Sequence, residues 1–178
     1  GGVFDGCAFS ENSSARYLGY NSKMENSLIV SNTITASGYS IAANGIYVNS
    51  TITGNKTVNK AAITGGTYTN TIVIANDNSQ ADVGGGTHIH TLYNTFTGTP
   101  LFDEGSIKTA SARFCGNGTR KAGPWALKAS SPAKDAGIAV DLFNESSVDI
   151  YGNPRIYKTI DIGCSEFIPF SGLVLMVK

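Results

Sequence analysis

Three acidic side chains in this sequence have a type and spacing that could do chemistry. Asp5 and Glu25 lie 20 residues apart, at the same position of two consecutive repeats. On neighbouring stacked strands such carboxyl groups would lie ~5 Å apart, a separation used in glycoside hydrolysis. Asp82 is the third candidate, just before the run Gly84-Gly85-Gly86. The alternative for each acid is a solvated residue on an outward face.

A His-x-His pair is the candidate metal site. On a strand, His88 and His90 would place both rings on one face, at a spacing that metal ions can use. With Asp82 six residues before His88, this segment could form a metal or catalytic loop; the alternative is a packing feature. The glycine run lacks the lysine and the following helix pattern of a phosphate-binding loop.

Aromatic side chains supply candidate sugar-stacking faces. The residues concerned are Tyr17, Tyr20, Tyr39, Tyr47, Tyr68, Tyr93 and Trp125. Tyr47 and Tyr68 recur at one repeat position with Phe4 and Met24, which favours stacked core residues for those two.

Composition narrows the classes of protein and partner. The 178 residues contain 13 Lys plus Arg and 13 Asp plus Glu, so no basic surface for nucleic acid or an anionic membrane is expected. No apolar run reaches the ~18 residues that a membrane span needs. Abundant Asn, Thr, Ser and Gly favour an all-β fold. The three cysteines match no zinc pattern. A Cys115–Cys164 disulfide and buried free thiols both stay open.

Four nine-residue windows repeat without gaps. They are FDGCAFSEN, MENSLIVSN, YVNSTITGN and YTNTIVIAN, starting at Phe4, Met24, Tyr47 and Tyr68. Such a period predicts a solenoid whose short strands stack in parallel sheets. An antiparallel sandwich of short strands is the alternative.

Two columns of this repeat predict specific structural roles. The third column needs residues that tolerate a left-handed corner, and it holds Gly6, Asn26, Asn49 and Asn70. The ninth column is predicted to form a ladder of stacked side-chain amides, and it holds Asn12, Asn32, Asn55 and Asn76.

The end of the chain carries further motifs. They are WALKASSPAKDAG from Trp125, DIYGNPRI from Asp149 and IDIGCSEF from Ile160. Their order resembles the closing segment of many secreted bacterial right-handed β-helix proteins, while GCAFSEN resembles repeats of polymorphic outer-membrane and related surface β-helices. Cys164 stands where that closing segment usually has Ala.

The resemblance implies an all-β, right-handed, single-stranded parallel β-helix. We expect about five coils over residues 1–99, a closing coil and C-terminal cap over 100–167 and a tail over 168–178. No room for a cap precedes Phe4, so further coils are expected upstream. Turn-bonding or ion-pairing roles in the cap are predicted for Asp135, Asp149, Arg155, Asp161 and Glu166.

Function is predicted less sharply than fold. The preferred hypothesis is a non-catalytic, monomeric module of a secreted or cell-surface bacterial protein, used for adhesion or for binding a polysaccharide or host glycan. The alternatives are the C-terminal part of a polysaccharide lyase or glycoside hydrolase, and a structural spacer. No cofactor is expected, except calcium in the case of a lyase.

Overall fold

The computed structural model describes residues 1–77, 80–116, 123–144 and 146–169. Within these ranges the chain is all-β and contains no helix. Its strands are β1 (Val3–Asp5), β2 (Ala8–Ser10), β3 (Ser13–Ser14), β4 (Gly19–Tyr20), β5 (Lys23–Glu25), β6 (Leu28–Val30), β7 (Thr33–Ser37), β8 (Ala42–Ala43), β9 (Ile46–Val48), β10 (Thr51–Thr53), β11 (Lys56–Val58), β12 (Ile63–Thr64), β13 (Thr67–Thr69), β14 (Ile72–Ile74), β15 (Thr87–Ile89), β16 (Leu92–Tyr93), β17 (Leu101–Phe102) and β18 (Ile107–Lys108).

The strands stack into four parallel sheets. The first sheet has the order β1-β5-β9-β13-β15-β17, and the second has the order β2-β6-β10-β14-β16-β18. The third sheet is β3-β7-β11 and the fourth is β4-β8-β12. Successive strands of the chain enter different sheets, so the backbone winds into a β-solenoid of about four turns. This confirms the predicted parallel solenoid and excludes the antiparallel sandwich.

Aromatic rings stack inside the solenoid. The register pairs Phe4 with Met24, Met24 with Tyr47 and Tyr47 with Tyr68, as the repeat alignment requires. The ring centroids of Tyr47 and Tyr68 lie 4.8 Å apart, and the two ring planes are nearly parallel. Because inward positions of adjacent strands meet at the strand spacing, one residue class recurs at each turn.

Strands β6 and β14 of the second sheet are apolar on both faces. In β6, Ile29 packs in the interior core, while Leu28 and Val30 contact the C-terminal segment, which comprises residues 123–144 and 146–169. Farther along, Ile72 and Ile74 of β14 pack in one cluster with Leu127, Ala133 and Ile162 of that segment. These described contacts place the C-terminal segment along the side of the second sheet, a position that the sequence did not predict.

All three cysteines are free: Cys164 is buried, and Cys7 and Cys115 are half-buried. The Cys115–Cys164 disulfide is therefore excluded. Cys164 packs on Leu28 and Val30, where a small side chain suits the contact with the second sheet. None of the described segments forms a helix long and apolar enough to span a membrane. Within the expected tail, residues 170–178 lie outside the described ranges.

Candidate functional site

The ninth repeat column forms a continuous amide ladder. Nδ2 of Asn12 donates to Oδ1 of Asn32, and Nδ2 of Asn32 donates to Oδ1 of Asn55, each at 2.9 Å. Nδ2 of Asn55 donates to Oδ1 of Asn76 at 3.0 Å. Each ladder oxygen also accepts from the backbone N–H of the preceding Asn. The ladder therefore links four turns at one corner.

Asp82 ends this ladder. Its Oδ1 accepts from the backbone N–H and from Nδ2 of Asn76, at 3.0 and 3.1 Å. Its Oδ2 accepts from the hydroxyl of Thr95 at 3.1 Å. The side chain is buried, and both carboxylate oxygens have partners. These bonds to Asn76 and Thr95 favour a structural role for Asp82.

The two histidines do not share a face. His88 is fully buried, and its ring stacks on Tyr68 with the centroids 5.0 Å apart. Burial lowers the pKa of His88, which favours its neutral form. His90 instead has a left-handed φ of 47°, which ends the strand alternation.

His90 joins the solenoid to the C-terminal segment. Its Nδ1 lies 2.9 Å from the carbonyl oxygen of Ala136, and its Nε2 lies 3.7 Å from Oδ2 of Asp103. Among the described residues, no cluster of three or more His, Cys, Asp or Glu side chains could hold a metal ion. The expectation that both rings lie on one strand face is wrong, because His88 is buried in the core while His90 faces the C-terminal segment.

The third repeat column forms left-handed corners. The φ angles of Asn26, Asn49 and Asn70 are 46°, 46° and 47°. Asn70 also holds the C-terminal segment, because its Oδ1 accepts from the N–H of Ile138 and its Nδ2 donates to the Ile138 carbonyl. The second function of this column could not be predicted from the repeat.

Replacement of Asn70 tests these two roles separately. We expect Asn70→Ala to lower the free energy of unfolding by about 2 kcal/mol, because it loses the amide bonds and strains the corner. Asn70→Gly keeps the corner relaxed and should cost about 1 kcal/mol. Urea unfolding of both variants measures the difference. Equal stability of the wild type and both variants would contradict these roles.

Arg155 is the centre of the buried polar cluster in the C-terminal segment. Its side chain is fully buried, and Nη2 donates to the backbone carbonyls of Asp161 and Gly163 at 2.8 Å each. With the Asn49 amide oxygen facing the guanidinium, that oxygen accepts from Nε at 2.6 Å. If the Asn49 amide is turned the other way, its oxygen accepts from Nδ2 of Asn70 at 2.9 Å. We assign the orientation in which the oxygen faces Arg155, because a charged donor forms the stronger hydrogen bond.

Acidic side chains around Arg155 bond mainly to backbone N–H groups. Asp149 accepts from the N–H groups of Tyr151, Asn153 and Glu166. Asp161 accepts from those of Asp135 and Phe167.

Glu166 accepts from the N–H of Asp161 through Oε2. The Asp135 carboxylate pairs with Lys134 at the surface. No ion pair joins Arg155 to an acid within 4.0 Å among the described residues, so its predicted pairing with Asp161 or Glu166 is replaced by the carbonyl contacts.

The buried acids of this cluster should make stability depend on pH. Burial raises the pKa of Glu166 to about 8, with a further contribution from Asp161, and raises the pKa of Asp161 to about 6. Both acids bind protons more tightly in the folded state than when unfolded. Their contribution is therefore fully present below about pH 4 and is lost as pH rises through about 6 and 8.

We expect the melting temperature to fall between about pH 4 and pH 8, from the unfolded to the folded pKa values of these two acids. Glu166→Gln stays neutral throughout this window, so its melting temperature should change less with pH. Differential scanning calorimetry of both proteins in matched buffers measures this effect. Parallel pH curves for the two proteins would contradict the assignment to Glu166.

Asp5 and Glu25 lie in a surface cleft of about 540 Å³. They are register partners on β1 and β5, next to Gly6 and Asn26 of the corner column. The opposite wall comes from the C-terminal segment, and its lining residues are Leu142, Phe143, Ser146, Ser147, Val148, Asp149, Ile150 and Gly152. The structure thus brings two of the predicted acids to one cleft.

A second cleft of about 400 Å³ lies beside the same two turns. Its aromatic wall is formed by Trp125 and Tyr151, and its other lining residues are Ala8, Ser10, Glu11, Leu28, Val30, Ser31 and Pro124. Tyr151 lies between Ile150 and Gly152, which line the first cleft. We call the two clefts together the side groove; it crosses the first two turns beside the C-terminal segment.

Comparisons of the chain with protein-family models, curated proteins and solved structures gave no significant match. The resemblance to bacterial β-helix proteins rests on the sequence motifs alone.

The structure separates the candidate sugar-stacking residues. Trp125 lines the side groove, whereas Tyr47, Tyr68 and Tyr93 are buried. The remaining tyrosines form a separate surface group in which Tyr17 contacts both Tyr20 and Tyr39. The sequence offered no sign that Tyr151 joins Trp125, because their contact with β2 and β6 depends on how the C-terminal segment folds back.

Proposed function

We propose that this chain is a non-catalytic glycan-binding module of a secreted or cell-surface bacterial protein, used for adhesion or for contact with a polysaccharide or host glycan. The observation that supports glycan binding is the side groove, whose two clefts provide an aromatic wall and a set of polar lining residues. Sugar rings pack their apolar faces on aromatic side chains, and their hydroxyl groups bond to carboxylates and amides. The bacterial and extracellular setting rests on the motif resemblance.

Groove length also favours an extended ligand. The acidic cleft lies at the corner between the first and second sheets, while the aromatic cleft lies on the outer face of β2 and β6. A ligand filling both would cross the strands and contact several sugar units. Leu28 and Val30 form an apolar floor that packs on Trp125, which should hold the indole in place before a ligand binds.

The test of this function blocks the groove without removing a core contact. Ala8 is exposed and lines the aromatic cleft, so Ala8→Trp should fill it. Ala15 is exposed and lies outside both clefts, which makes Ala15→Trp the matched control. We expect the protein to bind at least one glycan of an immobilised panel. We further expect Ala8→Trp to weaken that binding by about tenfold or more and Ala15→Trp to leave it unchanged.

Two results of the panel would overturn the proposal. Absence of binding to neutral, amino and acidic glycans alike would favour the structural spacer. Equal affinities of the Ala8→Trp and Ala15→Trp variants would place any binding outside the side groove. Melting temperatures of both variants show whether the groove substitution has disturbed the fold.

Glycoside hydrolysis is the second candidate function, favoured by the register pairing of Asp5 with Glu25 in the cleft. Strands lie ~4.8 Å apart, near the ~5 Å carboxyl separation of retaining hydrolases. Release of reducing ends from a bound glycan, lost in Glu25→Gln, would replace the non-catalytic proposal. A lyase needs a base and a cation that neutralises a uronate, and no Lys or Arg stands among the described lining residues of either cleft.

A further inference from the structure

We propose that the side groove selects glycans carrying positively charged amino groups. This inference rests on the proposed glycan-binding function and specifies the ligand class. Asp5 and Glu25 line the acidic cleft, and Glu11 lines the aromatic cleft. No Lys, Arg or His stands among the described lining residues of either cleft. A concave surface lined by one sign of charge concentrates ligands of the opposite sign.

The amide of Asn26 adds an acceptor that the protein leaves unpaired. Asn26 is 5% exposed and lies in the wall of the acidic cleft. Its Nδ2 donates to Oδ1 of Asp5 at 3.3 Å, while its Oδ1 has no hydrogen-bond partner among the described residues. Buried acceptors without a donor are unfavourable. The wall around Asn26 therefore suits a ligand group that donates hydrogen bonds.

Lys23 pairs with one of the acids that line the acidic cleft. Its Nζ contacts Oε1 of Glu25, two residues along the same strand, and the lysine is not among the cleft-lining residues. The Lys23 side chain is 37% exposed, and holding it in this pair costs it rotamer freedom. A ligand ammonium group can replace Lys23 at this carboxylate, so Lys23 should compete with a cationic glycan.

The aromatic half of the groove fits the same ligand. Trp125 and Tyr151 can stack on the sugar ring, and an ammonium group near an aromatic face gains cation–π attraction. A uronate polymer would instead bring carboxylates toward Asp5, Glu25 and Glu11. We therefore expect amino glycans to bind more tightly than N-acetylated chains, and acidic chains to bind least.

Calorimetric titration with three matched oligosaccharides tests this inference. The probes are a glucosamine hexamer, an N-acetylglucosamine hexamer and a galacturonate hexamer, each at low salt and with the amine protonated. The glucosamine hexamer is expected to bind about tenfold more tightly than the acetylated one. Added salt should reduce that preference because it screens the exposed charges.

Two substitutions should shift the affinity for the glucosamine hexamer in opposite directions. Glu25→Gln should weaken it by about tenfold, whereas Lys23→Met should strengthen it because the competing ammonium group is gone. The control is Lys56→Met, since Lys56 also pairs with an acid, Asp77, but lies on β11 outside the groove. Lys56→Met should leave the affinity unchanged.

The possible results separate this inference from the proposed function. Equal binding of the amino and acetylated hexamers, with no effect of Glu25→Gln or Lys23→Met, would overturn the charge selection and leave glycan binding standing. Tighter binding of the galacturonate hexamer would also overturn it. Failure of all three probes would overturn the amino-glycan inference, and the wider glycan panel then decides whether glycan binding fails too.

Discussion

Arg155→Ala is expected to lower the free energy of unfolding by about 3–5 kcal/mol. The substitution empties a fully buried site and leaves the carbonyl oxygens of Asp161 and Gly163 without their donor. It also removes the positive charge that favours ionisation of Asp161 and Glu166. Both the cavity and the unpaired polar groups destabilise the folded state.

Arg113→Ala is the matched control for this experiment. The Arg113 side chain is exposed and donates to the carbonyl of Ser130, so its loss should change stability by about 0.5 kcal/mol or less. Chemical unfolding monitored by tryptophan fluorescence is suited to both variants, because Trp125 packs between the C-terminal segment and the second sheet. If Arg155→Ala were as stable as Arg113→Ala, Arg155 would not hold this segment in place.

Asn55→Ala is expected to cost about 3 kcal/mol or more. Nδ2 of Asn55 donates to the carbonyls of Ile29 and Thr53 and to the amide of Asn76. Its Oδ1 accepts both from the N–H and from Nδ2 of Asn32. Alanine would leave these buried groups unpaired on both neighbouring turns.

Asn12→Ala tests whether this cost arises from burial and not from the residue type. Asn12 occupies the same repeat column at the exposed end of the ladder, where Nδ2 donates to Ser10 and Asn32. Water can replace those bonds, so we expect a loss below about 1 kcal/mol. Similar unfolding midpoints for Asn12→Ala and Asn55→Ala would contradict the ladder's role in stability.

Residue repetition alone was sufficient to predict the solenoid. In such a fold, each residue contacts its equivalent one turn later, so the contact partners differ by 20 to 23 positions across the first four turns. Equivalent positions of successive turns therefore require residues of the same class. Asn32 and Asn55 show this rule at the ladder, and Asn26 and Asn49 show it at the corner.

The four aligned sequence windows did not extend to the turn that holds the two histidines. His88 continues the aromatic column and His90 continues the corner column, so the repeat position decided their directions. A metal pair required ordinary strand alternation, which the left-handed backbone of His90 ends. Asp82 joins the ladder through bonds to Asn76, six positions earlier. That offset differs from the repeat period, so the repeat does not indicate it.

Sequence by itself determined the repeating part of this protein, because each stacking contact recurs at a nearly constant offset along the chain. Only the tertiary structure decided where the C-terminal segment lies, since its contacts have no period: Asn70 bonds to Ile138 across 68 residues, and Thr51 bonds to Cys164 across 113. The side groove depends on those contacts, because Trp125 and Tyr151 reach the first two turns only when the segment packs along the second sheet.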